Sequence, residues 1–304
     1  MGVKKHGSGI SIEDFHYEIL ITIFMKLNLV ELSIASMVCK SWNEVCRTPS
    51  LWAKLDLTQL SSNAFNIPFV FGAWKHDMNS INKLTTMLKY ALSLSNYNTT
   101  CLVFNYFVYL TDSQLITIAE RTPNLRRLVF PFQGSVSEDG IESAMKLWRG
   151  LESIVVTNMV MPCNVFSAIN KYCANISQMK FTSKFDVYEA DLMIQYTPNL
   201  KRVSIRNIMV NLTALIKILT SLQILVEVNI CHSLIWDRVG GVFELYTIRD
   251  LRSHLSLASL QKLLFCNGRR CLKCKNKKNK DLRRASFEHM VDVWRQDEIR
   301  SLAH

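Results

Sequence analysis

The feature that most constrains the fold is a short pattern, apolar-x-x-apolar-x-apolar, that recurs through the middle of the chain. Five copies start 24 to 26 residues apart, at Leu125, Leu151, Ile176, Leu200 and Leu225. The last three positions of each copy alternate as in a short strand with one apolar face. Helical patterns with apolar stripes lie between the copies. One strand and one helix cannot bury their own apolar faces, so the pattern predicts that neighbouring copies stack into a solenoid.

The intervening segments predict one helix for each copy. These helices are expected at 113–121, 138–148, 165–172, 188–196 and 212–222. Asp112, Ser137 and Asn164 are the expected N-caps. Two weaker copies flank the five, Thr99-Leu102-Phe104 and Leu260-Leu263-Phe265. An extra loop over residues 237–250 is expected before the second of them.

The repeated pattern resembles the leucine-rich repeat with a helix on its convex side, over about residues 98–265. The resemblance implies an α/β solenoid, with strands on the concave face and helices on the convex face. Three positions after each last strand anchor, the family normally has Asn or Cys. This chain has Gln133, Met159, Lys184, Ile208 and Ser233 there. We therefore expect a solenoid without a regular side-chain ladder at this position, and an ordinary doubly wound parallel sheet is the alternative.

The first sixty residues predict three short helices that carry more large apolar side chains than so small a unit can bury. Such a surplus commonly marks a surface for a protein partner. The segments Glu18-Ile19-Leu20, Val38-Cys39-Lys40-Ser41-Trp42 and Pro49-Ser50-Leu51-Trp52 resemble an F-box in order and spacing. That resemblance implies a module that binds a Skp-family adaptor of a cullin-type ubiquitin ligase. By position, the residues that form or support the contact are Phe15, Ile19, Leu20, Leu27, Leu32, Val38, Cys39, Trp42, Leu51 and Trp52.

One departure from the F-box pattern concerns the start of its first helix. The family usually has Leu-Pro where this chain has Phe15-His16. Proline in a first helical turn presets φ, so we expect weaker binding of the adaptor. The alternative interpretation is that residues 12–57 only cap the exposed end of the solenoid.

An F-box before leucine-rich repeats and a basic C-terminal segment is similar to a group of plant F-box/leucine-rich-repeat proteins. The similarity implies five regions, a tail (1–10), the F-box (11–58), a connecting segment and solenoid cap (59–97), the repeats (98–265) and a basic segment (266–304). It implies a non-catalytic substrate receptor of a Skp–cullin–F-box (SCF) ubiquitin ligase. A repeat scaffold outside any ligase and a nucleic-acid-binding regulator are the alternatives.

A protein target of such a receptor is expected on the concave face. Strand residues that point away from the helices would contact it, namely Arg127, Val129, Ser153, Val155, Gln178, Lys180, Arg202, Ser204, Glu227 and Asn229. Three of these residues are cationic, which favours an acidic target.

The net charge of +11 is concentrated near the C-terminus, where residues 269–284 contain nine Lys or Arg and one acid. This run contains no aromatic residue for base stacking, which does not favour nucleic-acid binding. Cys266, Cys271, Cys274 and His289 are candidate zinc ligands, and no other cofactor is expected. No apolar run is long enough for a membrane helix, so a membrane is not expected as a partner. Nine cysteines without a visible secretory signal indicate the cytosol, the nucleus or both.

Overall fold

The computed structural model describes residues 12–59, 78–104, 110–130, 136–156, 162–182, 184–247, 250 and 262–266. Side chains are described from residue 16 in the first helix and from residue 82 in the fourth. The N-terminal part contains α1 (Ile12–Phe24), α2 (Leu29–Ala35), α3 (Lys40–Cys46) and β1 (Lys54–Asp56). The 3-10 turns Pro49–Trp52 and Leu57–Gln59 flank β1. Across these ranges, no helix is both long enough and apolar enough to cross a membrane.

Helices and strands then alternate. The remaining helices are α4 (Met78–Ser95), α5 (Asp112–Arg121), α6 (Glu138–Leu147), α7 (Pro162–Tyr172), α8 (Val187–Tyr196) and α9 (Leu212–Ser221). The remaining strands are β2 (Cys101–Val103), β3 (Arg127–Val129), β4 (Ser153–Val156), β5 (Gln178–Phe181), β6 (Arg202–Ser204), β7 (Met209–Asn211), β8 (Glu227–Asn229), β9 (Leu234–Val239), β10 (Val242–Tyr246) and β11 (Lys262–Leu264).

Eight strands form one parallel sheet in the order β1-β2-β3-β4-β5-β6-β8-β11. Equivalent repeat positions pair directly, so Leu128 lies opposite Leu102 on one side and Ile154 on the other. These central strand residues point towards the helices and are completely buried in one continuous core. The strand order follows the chain without a reversal, whereas a doubly wound sheet has a switch point. The predicted solenoid is therefore confirmed.

Local signals explain where two of the repeat helices begin. Thr111, rather than the predicted Asp112, caps α5, because its hydroxyl accepts from the Gln114 amide and the Gln114 side chain accepts from the Thr111 amide. Asp112 instead reaches the next repeat, where its carboxylate accepts from the Ser137 amide at 2.7 Å and hydroxyl at 2.6 Å. Ser137 caps α6 as predicted. The prediction for Asn164 is wrong, because α7 already begins at Pro162, a residue that favours the first helical position.

The expected extra loop contains a β-hairpin. Strand β10 pairs antiparallel with β9, and β9 pairs parallel with β7, which forms a second, three-stranded sheet. Gly240 and Gly241 make the turn with φ of 59° and 85°, a conformation that favours glycine. The rings of Trp236 and Phe243 stack across the hairpin with centroids 5.3 Å apart.

At the repeat position that normally holds Asn or Cys, Ser233 forms hydrogen bonds to the preceding repeat. Its hydroxyl donates to the Ile205 carbonyl at 2.6 Å and accepts from the Ile208 amide at 3.4 Å. Lys184 instead pairs with Asp186 at the surface, at 3.2 Å. Gln133 and Met159 lie outside the described residues. Ser233 and Lys184 thus play different parts at equivalent positions.

The N-terminal helices are joined directly to the repeats. β1 is the first strand of the sheet and pairs in register with β2. The Thr99 hydroxyl donates to the Trp52 carbonyl at 3.0 Å, and the Ser36 and Tyr90 hydroxyls lie 2.7 Å apart. Residues of the N-terminal helices and residues of the repeats also belong to one hydrophobic core. The two parts therefore form one continuous body.

Candidate protein-interaction surfaces

Local hydrogen bonds set the shape of the N-terminal helical unit. Asn28 and Glu31 form a reciprocal capping box at the start of α2, which fixes the turn from α1. The Cys39 sulfur accepts from the Trp42 amide at 3.5 Å and caps α3. The indole NH of Trp52 donates to the Cys46 carbonyl, so a fully buried aromatic ring ties the 3-10 turn to α3.

Large apolar side chains lie exposed on this unit. The residues are Ile19 (42% exposed), Ile23 (50%), Ile34 (59%), Met37 (66%) and Val38 (60%), and we call them the exposed apolar set. Ile19 and Ile23 are one helical turn apart on α1, and the other three lie on α2 and the turn that follows it. Phe24, Leu32 and Trp52 of the same unit are buried in the core. The exposed apolar set is therefore left over after the unit has packed against the repeats.

The predicted adaptor-binding residues fall into three groups. Ile19, Val38 and Cys39 are exposed. Leu20, Leu27, Trp42 and Leu51 are partly buried and pack against the core. Leu32 and Trp52 are buried, so they support the surface from within. The side chain of Phe15 lies outside the described residues.

Helix α1 begins at Ile12, so His16 is its fifth residue. His16 therefore does not occupy the first helical position, which is the position that proline favours. Sequence reasoning did not place Ile23, Ile34 and Met37 in the contact set. The spacing of Ile34, Met37 and Val38 at i, i+3 and i+4 was the available signal, because it predicts one shared face. In the structure α2 ends at Ala35, and Met37 and Val38 lie in the turn that follows.

The concave face of the repeats contains two rows of side chains, which we call the upstream and downstream rows. The upstream row is formed by the first strand residues, Cys101, Arg127, Ser153, Gln178, Arg202 and Glu227. The downstream row is formed by residues two positions later, Val103, Val129, Val155, Lys180, Ser204 and Asn229. Both rows point away from the helices because strand side chains alternate between faces.

The two rows differ in exposure. In the upstream row, Arg127 and Arg202 are exposed, and Gln178 and Glu227 are half-buried. The entire downstream row is buried, and Lys180 is only 1% exposed. Of the ten residues predicted to contact a target, six are therefore buried, namely Val129, Ser153, Val155, Lys180, Ser204 and Asn229. A target cannot reach those six side chains in this conformation.

Burial also changes the chemistry at the edge of the downstream row. Cys101 clusters with Val103, Val129 and Val155. Burial raises the pKa of the Cys101 thiol from 9.0 to about 11, although the nearby cations Lys54 and Arg127 oppose the change. This thiol is therefore protonated at neutral pH and acts as an apolar packing group.

Only one of the four candidate zinc ligands lies in the described part of the chain. Cys266 follows β11 and is half-buried, whereas Cys271, Cys274 and His289 lie outside it. Among the residues the structure covers, no group of three or more His, Cys, Asp or Glu side chains is arranged to hold a metal ion. The zinc site stays a prediction.

Comparison with known proteins agrees with this geometry. Residues 17–58 match the F-box-like family, which spans the helices that carry the exposed apolar set. An F-box/LRR-repeat protein of Arabidopsis thaliana is 32% identical over 95% of this chain and 95% of its own length. A putative F-box protein of the same plant is 26% identical, again over 95% of each chain. The leucine-rich repeat-containing protein LegL7 of Legionella pneumophila has a TM-score of only 0.37 at 12% identity, covering 63% of this chain and 75% of that one.

The fold and the surfaces define an F-box module fused to a leucine-rich-repeat solenoid. The full-length similarity to the Arabidopsis protein goes further, and the chain belongs to the F-box/LRR-repeat protein family. Members of this family are generally non-catalytic adaptors, and F-box domains generally bind Skp adaptors.

Proposed function

We propose that this protein is a substrate-recognition subunit of an SCF-type ubiquitin ligase. Its F-box would bind a Skp-family adaptor, and its repeats would bind the protein to be ubiquitinated. The observation that carries the proposal is the exposed apolar set on a module that matches the F-box-like family. Ubiquitin transfer itself would belong to the other subunits.

The exposed apolar set supports docking of an adaptor because it has no other role in the packing. Met37 and Val38 are the most exposed of the five, at 66% and 60%. A single exposed apolar residue is ordinary, but several on one small module are typical of a protein interface. Burial of such side chains against a partner provides most of the favourable free energy of association.

The junction between the F-box and the repeats supports the second half of the proposal. β1 pairs with β2, and the Trp52 carbonyl accepts from Thr99, so the adaptor-binding end is attached rigidly to the solenoid. A rigid connection would hold a bound target at a fixed distance from the rest of the ligase. Fixed placement raises the effective concentration of target lysines at the reacting centre.

The side chains of the concave face that a target can reach belong to the upstream row, in which Cys101 and Ser153 are buried. Arg127 and Arg202 are exposed there, on strands separated by β4 and β5. We propose that they contact acidic groups of the target. Charge reversal at both positions would then weaken capture of the target in a pull-down, whereas unchanged capture would contradict this assignment.

The decisive experiment measures the affinity of the purified full chain for a purified Skp-family adaptor by titration calorimetry. Ile34→Ser with Val38→Ser removes apolar contact at the centre of the exposed apolar set, and we expect affinity to fall about 30-fold or more. Ile224→Ser is the matched control, because Ile224 is 47% exposed but lies on the repeats. It should leave the affinity unchanged, and all variants should keep the unfolding temperature of the parent.

Two outcomes would contradict the proposal. No binding of any Skp-family adaptor by the parent chain would favour a repeat scaffold that acts outside a ligase. Equal loss of affinity in the Ile224→Ser control would show that the exposed apolar set is not the docking surface.

A further inference from the structure

The hairpin formed by β9 and β10 leaves one edge of its small sheet open. The sheet has the order β10-β9-β7. At the β7 edge, the Phe185 amide donates to the Met209 carbonyl and the Asn211 amide donates to the Phe185 carbonyl, both at 2.8 Å. At the other edge, no strand among the described residues pairs with β10 apart from β9. An edge strand of this kind is a template for pairing with another chain.

The turn of the hairpin decides which backbone groups of β10 point outwards. Both glycines of the turn have positive φ, as in a two-residue type I′ turn, so Val239 and Val242 form a hydrogen-bonded pair. Hydrogen-bonded and non-hydrogen-bonded pairs alternate along antiparallel strands. Phe243 and Leu245 therefore direct their amide and carbonyl groups away from β9. These two residues lie about 7 Å apart along the strand and offer two donors and two acceptors to a further strand.

Apolar side chains of the same strand lie open to solvent. Val242 is 64% exposed, Phe243 is 45% exposed and Leu245 is 46% exposed. The Phe243 ring stacks on Trp236 of β9, and Leu245 lies directly opposite Trp236, so these three side chains share one face of the hairpin. Outward backbone groups and apolar side chains thus lie along the same edge. An extended peptide uses both, because its backbone pairs with the edge while alternate side chains contact the face.

Glu244 lies between the two outward-facing residues and sets the charge of a partner. It is directly opposite Asp237 in the hairpin, and none of the ion pairs between described residues includes either carboxylate. Like charges in this arrangement are unfavourable. In an added antiparallel strand, the residue opposite Glu244 belongs to a non-hydrogen-bonded pair, in which side chains approach most closely. A cation at that position of the partner would neutralise Glu244.

We propose that β10 binds an extended segment of another protein as an added antiparallel strand. The segment has the pattern apolar-cation-apolar, with Lys or Arg opposite Glu244 and apolar side chains opposite Phe243 and Leu245. Hydrogen bonds to β10 hold its backbone, and the cation sets its register. β1 of the F-box region and β8, which precedes the hairpin, lie near opposite ends of the large sheet. The inference therefore does not depend on adaptor binding.

A second copy of this chain fits the edge less well. The antiparallel register that bonds both Phe243 and Leu245 of two copies places Glu244 of one copy opposite Glu244 of the other. Two carboxylates would then face each other without a cation, which is unfavourable. The chain itself does not cover the edge in the folded state, because Val242, Phe243 and Leu245 remain exposed.

The experiment measures binding of the synthetic peptide acetyl-Ser-Thr-Val-Lys-Val-Thr-Ser-amide to the full-length protein. Hydrogen exchange is followed by NMR at single residues. Near saturation with peptide, the amides of Phe243 and Leu245 should exchange about tenfold or more slowly, because they become hydrogen-bonded. The amides of Val242 and Glu244 are the internal control, since they already face β9 and should change less.

Modified peptides separate strand pairing from unspecific apolar contact. N-methylation of both valines removes the amides that face β10, and it should lower the affinity about tenfold or more. N-methylation of the lysine and one threonine is the matched control, because these amides face away from β10. It should change the affinity much less.

A charge exchange tests the role of Glu244. Glu244→Lys should weaken binding of the peptide about fivefold, and replacement of the peptide lysine by glutamate should restore it. Glu120→Lys is the matched control, because Glu120 is exposed on α5, outside the hairpin. It should leave the affinity for both peptides unchanged.

Several results would overturn the proposal. Slow exchange at Phe243 and Leu245 in the protein alone would show that the chain already covers this edge, and protection that grows with protein concentration would indicate a second copy. Unchanged exchange at both residues in excess peptide would show that β10 does not accept a strand. Equal affinity for the two N-methylated peptides would show that the contact is not backbone pairing. The peptide variants leave the chain unaltered, so these results do not depend on the folding of a mutant.

Discussion

The F-box and the concave face of the repeats treat apolar side chains in opposite ways. Ile34 and Val38 of the F-box are 59% and 60% exposed, whereas Val129 and Val155 of the concave face are 0% and 1% exposed. Both surfaces point away from the continuous core that joins the two regions. The F-box thus presents apolar side chains to solvent, whereas the apolar side chains of the concave face are buried.

The difference shows that a partner for an apolar surface can come from two sources. The exposed apolar set of the F-box lies open to solvent, so a second protein can bind it without displacing part of this chain. The downstream row is already buried within the folded chain. Binding at the F-box therefore adds a contact, whereas binding at the downstream row would have to replace one.

The largest expected effect tests this contrast with one residue type in two regions. Ile154 is completely buried at the centre of the sheet, and Ile34 is 59% exposed. Ile154→Ala should lower the free energy of unfolding by about 2–5 kcal/mol, because it leaves a cavity in the core. Ile34→Ala should change it by less than about 0.5 kcal/mol. Chemical denaturation of both variants measures the difference, and similar losses would show that Ile34 is not a surface residue in solution.

The contrast can also be tested with the native cysteines. Cys39 is exposed on the F-box, whereas Cys101 is 8% exposed beside the downstream row. Burial raises the pKa of Cys101 from 9.0 to about 11, which leaves about one hundredth of the usual thiolate near neutral pH. We expect iodoacetamide to modify Cys39 readily and Cys101 at least about 100-fold more slowly, as measured by mass spectrometry.

Cys46 is an internal control for that measurement. It lies in the same module as Cys39, but it is 0% exposed, and burial raises its pKa to about 11. It should remain unmodified while the protein is folded. Rapid modification of Cys101 with Cys46 still protected would mean that the concave face is open in solution.

The repeat register could be predicted from sequence because it depends on local spacing. The anchors Leu125, Leu151 and Leu200 are all completely buried, and the predicted helices begin and end within three residues of those observed. Each repeat carries the same apolar positions, so five copies reinforce one interpretation. The F-box was predictable for a different reason, since several linked segments match the family pattern in order.

Three features could not be predicted because they depend on contacts between distant residues. Asp112 resembles a local N-cap, but its carboxylate accepts from Ser137 in the next repeat. The alternation of the strands shows that Val129 faces away from the helices, but not that its side chain is completely buried. The extra loop gives no periodic signal of its own, and the pairing of β9 with β7 sets its position.

The hairpin is the part of the repeat region that also exposes apolar side chains. A variant at its attachment to the solenoid is expected to have the smallest effect of those considered. The hairpin residues Val242 and Phe243 are 64% and 45% exposed, as in the F-box, whereas Ile235 of β9 is 4% exposed in the core. Polar contacts add to the attachment of the hairpin to the solenoid. The Asp237 carboxylate accepts from the Thr213 hydroxyl at 2.7 Å and from the Asn211 amide at 3.2 Å. Burial tends to raise the pKa of Asp237, but hydrogen bonds from Thr213, Arg238 and Asn211 outweigh it and lower the pKa below 3.8.

A lowered pKa in the folded state means that ionised Asp237 stabilises the hairpin above its unfolded pKa of about 3.9. That contribution is lost as the pH falls through the lower folded value. Asp237→Asn should therefore weaken the attachment by about 1 kcal/mol at neutral pH and remove its dependence on pH in the acid range. Hydrogen exchange of residues 234–246 measures the effect, with Glu244→Gln as the control, because the Glu244 carboxylate accepts from the Tyr246 hydroxyl within the same hairpin. Equal exchange in the parent and Asp237→Asn would show that the pairing of β9 with β7 holds the hairpin without help from the Asp237 carboxylate.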